Sequence, residues 1–463
     1  MLFNSLIFLI FASLFFLLWS FFQPKNHPRW IFLIVTSLIF YGWWDWRFIF
    51  LLVGCGLFNF YAAILIKNRQ QHRKAILIAA IIGNVGVLAL FKYLGFITSN
   101  LNALGLNLPI VRLALPIGIS FYTFQGISYV MDVYKGIVPP TTNFFHFFAY
   151  LSIFPHLIAG PIIRASQLIP QLAEARKATD EELWAGCKLI VYGFFKKVVI
   201  ADRLGVIVDL AFRQKYDVAS GLYWWIIITF FAIQIYCDFA GYTDIARGLA
   251  KLMGYDFPIN FNFPYFSKSI QEFWTRWHIT LSNWLRDYIF YPLLQRKMTP
   301  LNAHISMVIT MLVSGLWHGA GWTFIIWGGI HAFFFSIEQL TRWPKKLKRT
   351  GIGKGLSTIL TVIAVWIAWV FFRSYTVQQA AGILGKMFHS VLRTDFQIPK
   401  FTILVAIPLF IAVIMEFISF YKLNDKMKSW GSYKYIEIIA VALALVAVIY
   451  LRGKTQTFVY FQF

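Results

Sequence analysis

The sequence predicts an all-α integral membrane protein whose helices cross the bilayer about ten to twelve times. Only 13% of its 463 residues are charged and 59% are hydrophobic, whereas an average soluble domain has ~25% charged residues. The apolar residues also form long blocks, and a helix needs about 20 of them to cross the hydrocarbon core. Because unpaired backbone amides cost several kcal/mol in lipid, each crossing is predicted to be helical.

The candidate crossings run along the whole chain. Those that are long and apolar enough, or nearly so, are residues 2–22, 47–66, 75–97, 187–209, 222–248, 303–320, 323–341, 355–375, 402–421 and 436–451. Segments 30–44 and 113–131 are weaker candidates because they are shorter or more polar. The first block has no basic start and no small-residue cleavage site, so it is interpreted as a retained span and not as a signal peptide.

The net charge of +23 comes from basic residues scattered between the apolar blocks. This scatter argues against a nucleic-acid-binding surface and follows the positive-inside rule. The rule predicts cytoplasmic loops at 67–74, 342–354 and 422–434, with both termini outside. The excess positive charge should also attract anionic lipid headgroups.

A single membrane domain is predicted over residues 1–463. Residues 109–331 form its catalytic middle, and 1–108 and 355–463 supply flanking transmembrane helices. The apolar blocks of the middle carry Pro, Gly, His, Asp and Arg, which are costly at membrane depth and usually mark a cavity or a site. No internal repeat is evident, which weakens a transporter interpretation.

Two acidic residues of the middle, Asp238 and Asp244, lie inside one apolar block. Arg247 follows Asp244 at a spacing that places both on one helix face, so a structural pair is favoured over a direct substrate role. Pro116 and Gly118 are interpreted as residues that interrupt a helix, which is tolerated only where the backbone lines protein or a cavity.

Residues 264–298 break the pattern of spans. The run over 270–290 has helical period and is predicted to form one amphipathic helix at the membrane interface. Its apolar face consists of Trp274, Trp277, His278, Leu281, Trp284, Leu285 and Tyr288. His278 is therefore expected to point into the protein, and a purely structural buried histidine remains the alternative.

Several common catalytic and binding motifs do not occur. The chain has no GxSxG, Walker A, GxGxxG or HExxH motif, so hydrolase, nucleotide-driven and dinucleotide chemistry are unsupported. The cysteines have no disulfide or metal-ligand spacing and are interpreted as buried thiols: Cys55, Cys187 and Cys237. No metal is expected.

The strongest candidate motif is SGLWHGAGWTFIIWGGIHAFF, residues 314–334, which places His318 and His331 in apolar, glycine-rich sequence. A neutral imidazole can take the proton of a hydroxyl near pH 7, as acyl transfer from a thioester requires. Packing between helices remains the alternative for both residues. His331 lies about 220° around an unbroken helix from His318, so the two share a face only if the helix breaks at the glycines.

RWHITLSNWLRDY followed by LWHGAGWTFIIWGGIH resembles the membrane-bound O-acyltransferase (MBOAT) superfamily, especially the branch of the bacterial alginate O-acetyltransferase membrane subunit. Further segments resemble that branch in the same order, namely 115–136, 154–164, 193–204, 233–265, 369–374 and 459–463. The resemblance implies a ring of tilted helices around a central funnel or tunnel. It also implies that His318 and His278 serve the reaction, with His331, Trp317, Trp277 and Asn283 in support. Leu293 and Leu294 stand where that branch usually has glycines, which leaves the acceptor open.

The expected function is that of a multi-pass enzyme of the cell (inner) membrane with no bound cofactor. It would take an acyl group, acetyl in the first instance, from a cytoplasmic thioester of coenzyme A or of a carrier's phosphopantetheine. Arg276 and Arg286 would guide this donor. The resemblance implies that a separate periplasmic or extracellular SGNH-type acyltransferase receives the group and modifies a polysaccharide such as alginate. Teichoic-acid D-alanylation, lipid O-acylation and a transporter or channel without a covalent step remain the alternatives.

Overall fold

The computed structural model describes residues 1–111, 113–214, 220–295, 298–389, 403–420, 433–453, 456, 458 and 459. Every regular element in these ranges is helical, which confirms the predicted all-α class. Within the same ranges, the helices long and apolar enough to cross a membrane are Arg47–Asn68, Gln70–Ala103, Gly221–Leu252, Pro300–His318 and Gly351–Arg373. The number of crossings, the central funnel and the single domain stay predictions.

Some residues of the sequence predictions lie outside the described residues. They are Arg296, Lys297, residues 422–432 of the third basic loop, and residues 460–463. The predicted sidedness of the basic loops stays a prediction.

The first of two compact units comprises Met1–Ile190 and Thr243–Pro258. Its helices are α1 (Leu6–Phe22), α2 (Asn26–Gly42), α3 (Arg47–Asn68), α4 (Arg73–Leu88), α5 (Leu94–Ala103), α6 (Ile119–Tyr134), α7 (Phe144–Ser152), α8 (Phe154–Leu157), α9 (Ala165–Ala173) and α10 (Asp180–Phe194, to Ile190). Two buried amides join α3 to α4: Asn59 Nδ2 donates to Asn84 Oδ1 over 3.1 Å, and Asn84 Nδ2 donates to Asn59 Oδ1 over 2.8 Å. This reciprocal pair satisfies polar groups that apolar surroundings would otherwise leave without partners.

Two sequence predictions about the first unit are confirmed. Helix α6 begins only after Gly118, which has φ +76°, so the stretch around Pro116 and Gly118 is not a smooth helix. A Cβ at Gly118 would lie 2.4 Å from the carbonyl oxygen of Leu157. The expected pair of Asp244 and Arg247 also forms, with 3.5 Å between Arg247 Nη1 and Asp244 Oδ1.

The second unit comprises Val191–Tyr242 and Ile259–Phe463. Its helices are α11 (Asp202–Arg213), α12 (Gly221–Leu252, to Tyr242), α13 (Ile270–Arg276), α14 (Ile279–Leu285), α15 (Tyr291–Leu294), α16 (Pro300–His318), α17 (Trp322–Thr341), α18 (Trp343–Leu347), α19 (Gly351–Arg373), α20 (Val377–His389), α21 (Ile403–Phe420) and α22 (Tyr433–Tyr450). A π-helical segment, Phe195–Ala201, precedes α11.

Helices α16 and α17 form a tightly packed hairpin in the second unit. A Cβ at Gly315 would lie 2.2 Å from Phe324 O, and one at Gly328 would lie 2.3 Å from Met311 O. Real Cβ atoms do not approach backbone so closely, so only glycine allows these two backbones to touch. The hairpin therefore fixes the position of its turn, where α16 ends at His318.

Candidate active site

The candidate site lies in the second unit, and its first component is a break between two short helices. Helix α13 ends at Arg276, α14 begins at Ile279, and His278 between them has φ +42°. One continuous helix over 270–290 was therefore the wrong prediction. The predicted apolar face is confirmed in another respect, because all seven of its residues are buried.

Asn260 is the physical reason for this break. Its backbone oxygen accepts a hydrogen bond from Ile279 N over 2.9 Å. Its side-chain Oδ1 accepts from Thr280 N over 3.2 Å and from Thr280 Oγ1 over 3.0 Å. The start of α14 is thus capped by a residue distant in sequence, which offsets the cost of a left-handed histidine.

The same Asn260 Oδ1 lies 3.1 Å from His278 Nδ1. Because this oxygen accepts from a backbone N–H, its identity as the amide oxygen is settled and His278 Nδ1 must be the donor. The imidazole is then the Nδ1–H tautomer, with the lone pair on Nε2. Burial lowers the pKa of His278 to about 3, so the ring is neutral near pH 7.

His318 is the last residue of α16, and its neighbours are aromatic rings. The ring centroids of Trp317 and Trp327 lie 4.9 Å from that of His318, and the centroid of Phe372 lies 5.3 Å away. All three contacts are edge-on. The centroid of Trp317 also lies 5.9 Å from that of His278. The structure therefore brings the two predicted histidines together around Trp317.

His331 lies one turn of α17 beyond Trp327, with 4.8 Å between their ring centroids. The helix does break at Gly319–Gly321, and His318 and His331 both contact the same hairpin residue, Trp327. His331 is 1% exposed, and its Nε2 has no hydrogen-bond partner among the described residues. Its contact with Trp274, at 5.0 Å, encloses it further.

The other predicted residues have more varied positions. Trp277 is fully buried, and its ring centroid lies 5.0 Å from that of Trp369. Asn283 is half-buried on α14. Arg276 pairs with Glu272 at 3.0 Å and donates to Asn262 O. Arg286 pairs with Asp287 at 2.8 Å and is about half exposed, so it is the more accessible of the two arginines.

Sequence reasoning missed several residues of this site. Asn260 has only one weak signal, a polar side chain within the run NFNFPY. Trp327, Trp369 and Phe372 lie within the segments that carry the family resemblance, but nothing else in the sequence distinguishes them. Lys197 was missed as the partner of Asp238, and 2.6 Å separates its Nζ from Asp238 Oδ1. Tertiary packing alone brings these groups together.

The arrangement suits acid–base chemistry that must exclude water. Two histidines with buried rings lie among tryptophan and phenylalanine side chains, and His278 is held by Asn260 in one tautomer. A neutral imidazole in such a place can accept the proton of a hydroxyl. The aromatic enclosure keeps water away from the two imidazoles.

Comparison with known proteins identifies similar acyltransferases. Residues 137–378, which include the three histidines, match the model of the MBOAT, membrane-bound O-acyltransferase family. The chain is 38% identical over 397 residues to the probable alginate O-acetylase of Pseudomonas putida, covering 84% of this chain and 80% of that protein. It is 35% identical over 422 residues to the peptidoglycan O-acetyltransferase of Helicobacter pylori, with coverage of 84% and 80%. It is 29% identical over 287 residues to the teichoic acid D-alanyltransferase of Bacillus subtilis, with coverage of 59% and 69%.

Proposed function

The chain belongs to the membrane-bound O-acyltransferase family, and on that premise we propose that it moves an acetyl group from a cytoplasmic thioester toward an acceptor outside the cell membrane. It is a membrane protein and an acyltransferase. The observation that carries the finer proposal is the pair His278 and His318, both buried and both in contact with Trp317. The protein would lie in the inner membrane and cross it several times.

In the proposed step, His318 acts as the general base. Its imidazole takes the hydroxyl proton of the acceptor, the acceptor oxygen forms a bond with the thioester carbonyl carbon, and the carbon–sulfur bond breaks. The departing thiolate then receives the proton from the imidazolium, so the histidine is regenerated. His278, fixed by Asn260 in the Nδ1–H tautomer, orients the reacting groups. His331, Trp317, Trp277 and Asn283 support this arrangement.

The donor would be an acyl thioester of coenzyme A or of a carrier's phosphopantetheine, used as a substrate and not as a resident cofactor. Both donors are anionic. Arg276 and Arg286 lie beside His278 in sequence, and Arg296 and Lys297 follow them. The positive-inside rule therefore predicts that this segment faces the cytoplasm. The positive charge of Arg276 and Arg286 would raise the local donor concentration.

The acceptor is proposed from the relatives' names. Alginate O-acetylase and peptidoglycan O-acetyltransferase both name an acetylated polysaccharide or glycan, and each relative aligns with 84% of this chain. An extracytoplasmic polysaccharide such as alginate is therefore the favoured acceptor, reached through a separate SGNH-type transferase.

D-alanyl transfer to teichoic acid is the second candidate. It is supported by the similarity to the teichoic acid D-alanyltransferase of Bacillus subtilis, which covers a smaller share of this chain.

The test uses purified protein in vesicles with a labelled acetyl thioester. His318→Ala should lower the rate of acetyl transfer or exchange about 10²- to 10⁴-fold, as loss of a general base does. Its unfolding temperature should stay near that of the wild type. His304→Ala is the matched control, because His304 lies on the same helix α16 but is exposed and contacts Ser336.

Several outcomes would reject parts of the proposal. Full activity of His318→Ala would exclude its catalytic role, whereas loss of the folded protein would support a packing role. Sidedness is tested by supplying the donor on one face of the vesicle at a time. Activity only from the face that bears the basic loops supports transfer across the membrane. Equal activity from both faces would favour a lipid acyltransferase, and no covalent step would favour a transporter or channel.

A further inference from the structure

A buried cluster of three charges lies in the second unit. Lys197 Nζ is 2.8 Å from Asp202 Oδ1 and 2.6 Å from Asp238 Oδ1, and all three side chains are almost completely buried. Two carboxylates around one ammonium leave an excess of negative charge when both are ionised. Charged side chains are rare within transmembrane helices, and those that occur there usually serve a structural or functional purpose.

The 451–459 segment, of which residues 451–453, 456, 458 and 459 are described, completes this cluster. Val459 N donates to Asp238 Oδ2 over 2.7 Å, and Lys197 Nζ donates to Gln456 O over 3.3 Å. Two more bonds fix the beginning of the segment. Gly453 N donates to Val198 O over 2.8 Å, and Arg203 Nε donates to Leu451 O over 2.6 Å. The cluster therefore holds a piece of chain in place.

These hydrogen bonds fix the position of Phe458, which precedes Val459. Phe458 is 1% exposed, and its ring centroid lies 5.5 Å from that of Phe239, the residue after Asp238. Tyr242 contacts it from a second direction at 5.2 Å. Phe239 in turn lies edge-on to His278, with 4.7 Å between the ring centroids and 90° between the planes.

We propose that Gln456, Phe458 and Val459 form a positioning element of the active site and that Phe458 is a positioning residue that acts on His278 through Phe239. This inference rests on the proposed role of His278 in acyl transfer. Asn260 fixes the Nδ1 atom of His278, and the aromatic rings packed against the imidazole fix the plane of the ring. The ring of Phe239 lies edge-on against that of His278, Phe458 packs against Phe239, and Tyr242 packs against Phe458.

The expected effect follows from the size of the void that a truncation leaves. In Phe458→Ala, Phe239 can move toward the vacated space, and the edge contact with His278 loosens. A displacement of about 1 Å in a catalytic group can cost up to about 10²-fold in rate. Phe458→Ala should therefore lower kcat by about 10- to 100-fold and change KM for the donor by less than about threefold.

The experiment compares Phe458→Ala with two other variants in reconstituted protein. Phe458→Leu keeps most of the side-chain volume and should restore most of kcat. Tyr450→Ala is the matched aromatic truncation, because Tyr450 is 78% exposed at the end of α22, and it should leave kcat unchanged. In a His278→Ala background, Phe458→Ala should cause little further loss, since its effect passes through His278.

A second measurement does not depend on activity. Histidine-selective isotope labelling gives one imidazole signal for each histidine, and the His278 signal is the one that His278→Ala removes. This signal should shift in Phe458→Ala, because the ring current of Phe239 changes, and should stay in place in Tyr450→Ala. If Phe458→Ala does not fold, Phe458→Leu must fold and give a smaller shift of the same signal.

The proposal is overturned if the His278 signal is unchanged in folded Phe458 variants, or if Phe458→Ala lowers kcat equally with and without His278. Failure of the proposed function has a different signature. In that case the wild type shows no thioester chemistry, or His318→Ala stays fully active, while the His278 signal still reports whether Phe458 positions this ring.

Discussion

The histidine site and the Lys197 cluster are both buried in the second unit, yet their polar groups have different neighbours. Lys197 lies within 2.8 Å of two carboxylates, and backbone groups of the 451–459 segment contribute further bonds. His318 and His331 lie among aromatic rings whose centroids are 4.8–5.3 Å away. Ion pairing suits a group that holds the chain in place. Ring packing orients an imidazole and leaves its nitrogen able to accept a proton.

The largest expected effect tests the structural half of this comparison. Lys197→Met leaves two buried carboxylates without their cation and should lower the free energy of unfolding by about 3–5 kcal/mol. Lys196→Met is the matched control. Lys196 is partly exposed and lies 3.6 Å from Glu416, so its replacement should cost about 1 kcal/mol or less. Denaturant unfolding in detergent measures both variants, and equal losses would contradict the assignment of Lys197 as the central anchor.

The second prediction separates a structural histidine from a candidate functional one. His156, in the first unit, is also 1% exposed, but its Nε2 lies 3.1 Å from Tyr150 O. His156→Phe removes a buried hydrogen bond and should destabilise the protein by about 1–3 kcal/mol. His331→Phe keeps an aromatic ring and removes a nitrogen without a partner among the described residues. It should therefore be neutral or slightly stabilising.

Thermal unfolding of His156→Phe and His331→Phe measures the change in stability that each substitution causes. If His331→Phe destabilises the protein as much as His156→Phe, ring packing is not what holds His331. If His331→Phe is stable and fully active, its supporting role in the reaction is rejected and packing is its whole function.

The smallest expected effect concerns the rim of the histidine site. Arg276 and Arg286 are each paired with an acidic neighbour, so much of their charge is compensated locally. Replacing both by Gln should raise KM for the anionic donor by about threefold to tenfold, and this difference should shrink at high salt. Use of the acceptor should change less. Arg47→Gln is the control, since Arg47 is an exposed arginine paired with Asp45 in the same way, and a similar rise in KM there would remove the guiding role.

Periodicity and composition predicted the parts of this protein that depend on local sequence. The apolar blocks, the interruption at Gly118 and the buried face over 274–288 follow from side-chain spacing and backbone freedom, and each is present. The continuous helix over 270–290 was wrong because the break at His278 depends on Asn260, 18 residues earlier. No pattern within the helix carries that information.

The same limit applies to the candidate site. His278, His318 and His331 could be chosen because histidine is costly in apolar sequence. Trp327 contacts His318 and His331, and Trp369 contacts His331 and Trp327. These contacts depend on the close approach of α16 and α17 and on the packing of α19, which bring distant segments together. Asp238 was recognised as an unusual acid, but its partners Lys197 and Val459 come from other parts of the chain.

The bond between Val459 N and Asp238 has a consequence for how the protein is made, because 221 residues separate the two. A ribosome adding about 5–20 residues per second needs roughly 10–40 s to synthesise that interval. During this time Lys197, Asp202 and Asp238 have already been delivered to the membrane without the backbone groups that complete their site. The newly inserted helices must therefore keep this polar site accessible to water or to the insertion machinery until Val459 emerges. A nascent chain that stalls before then keeps the pairs of Lys197 with Asp202 and Asp238 but lacks the backbone bonds of Gln456 and Val459.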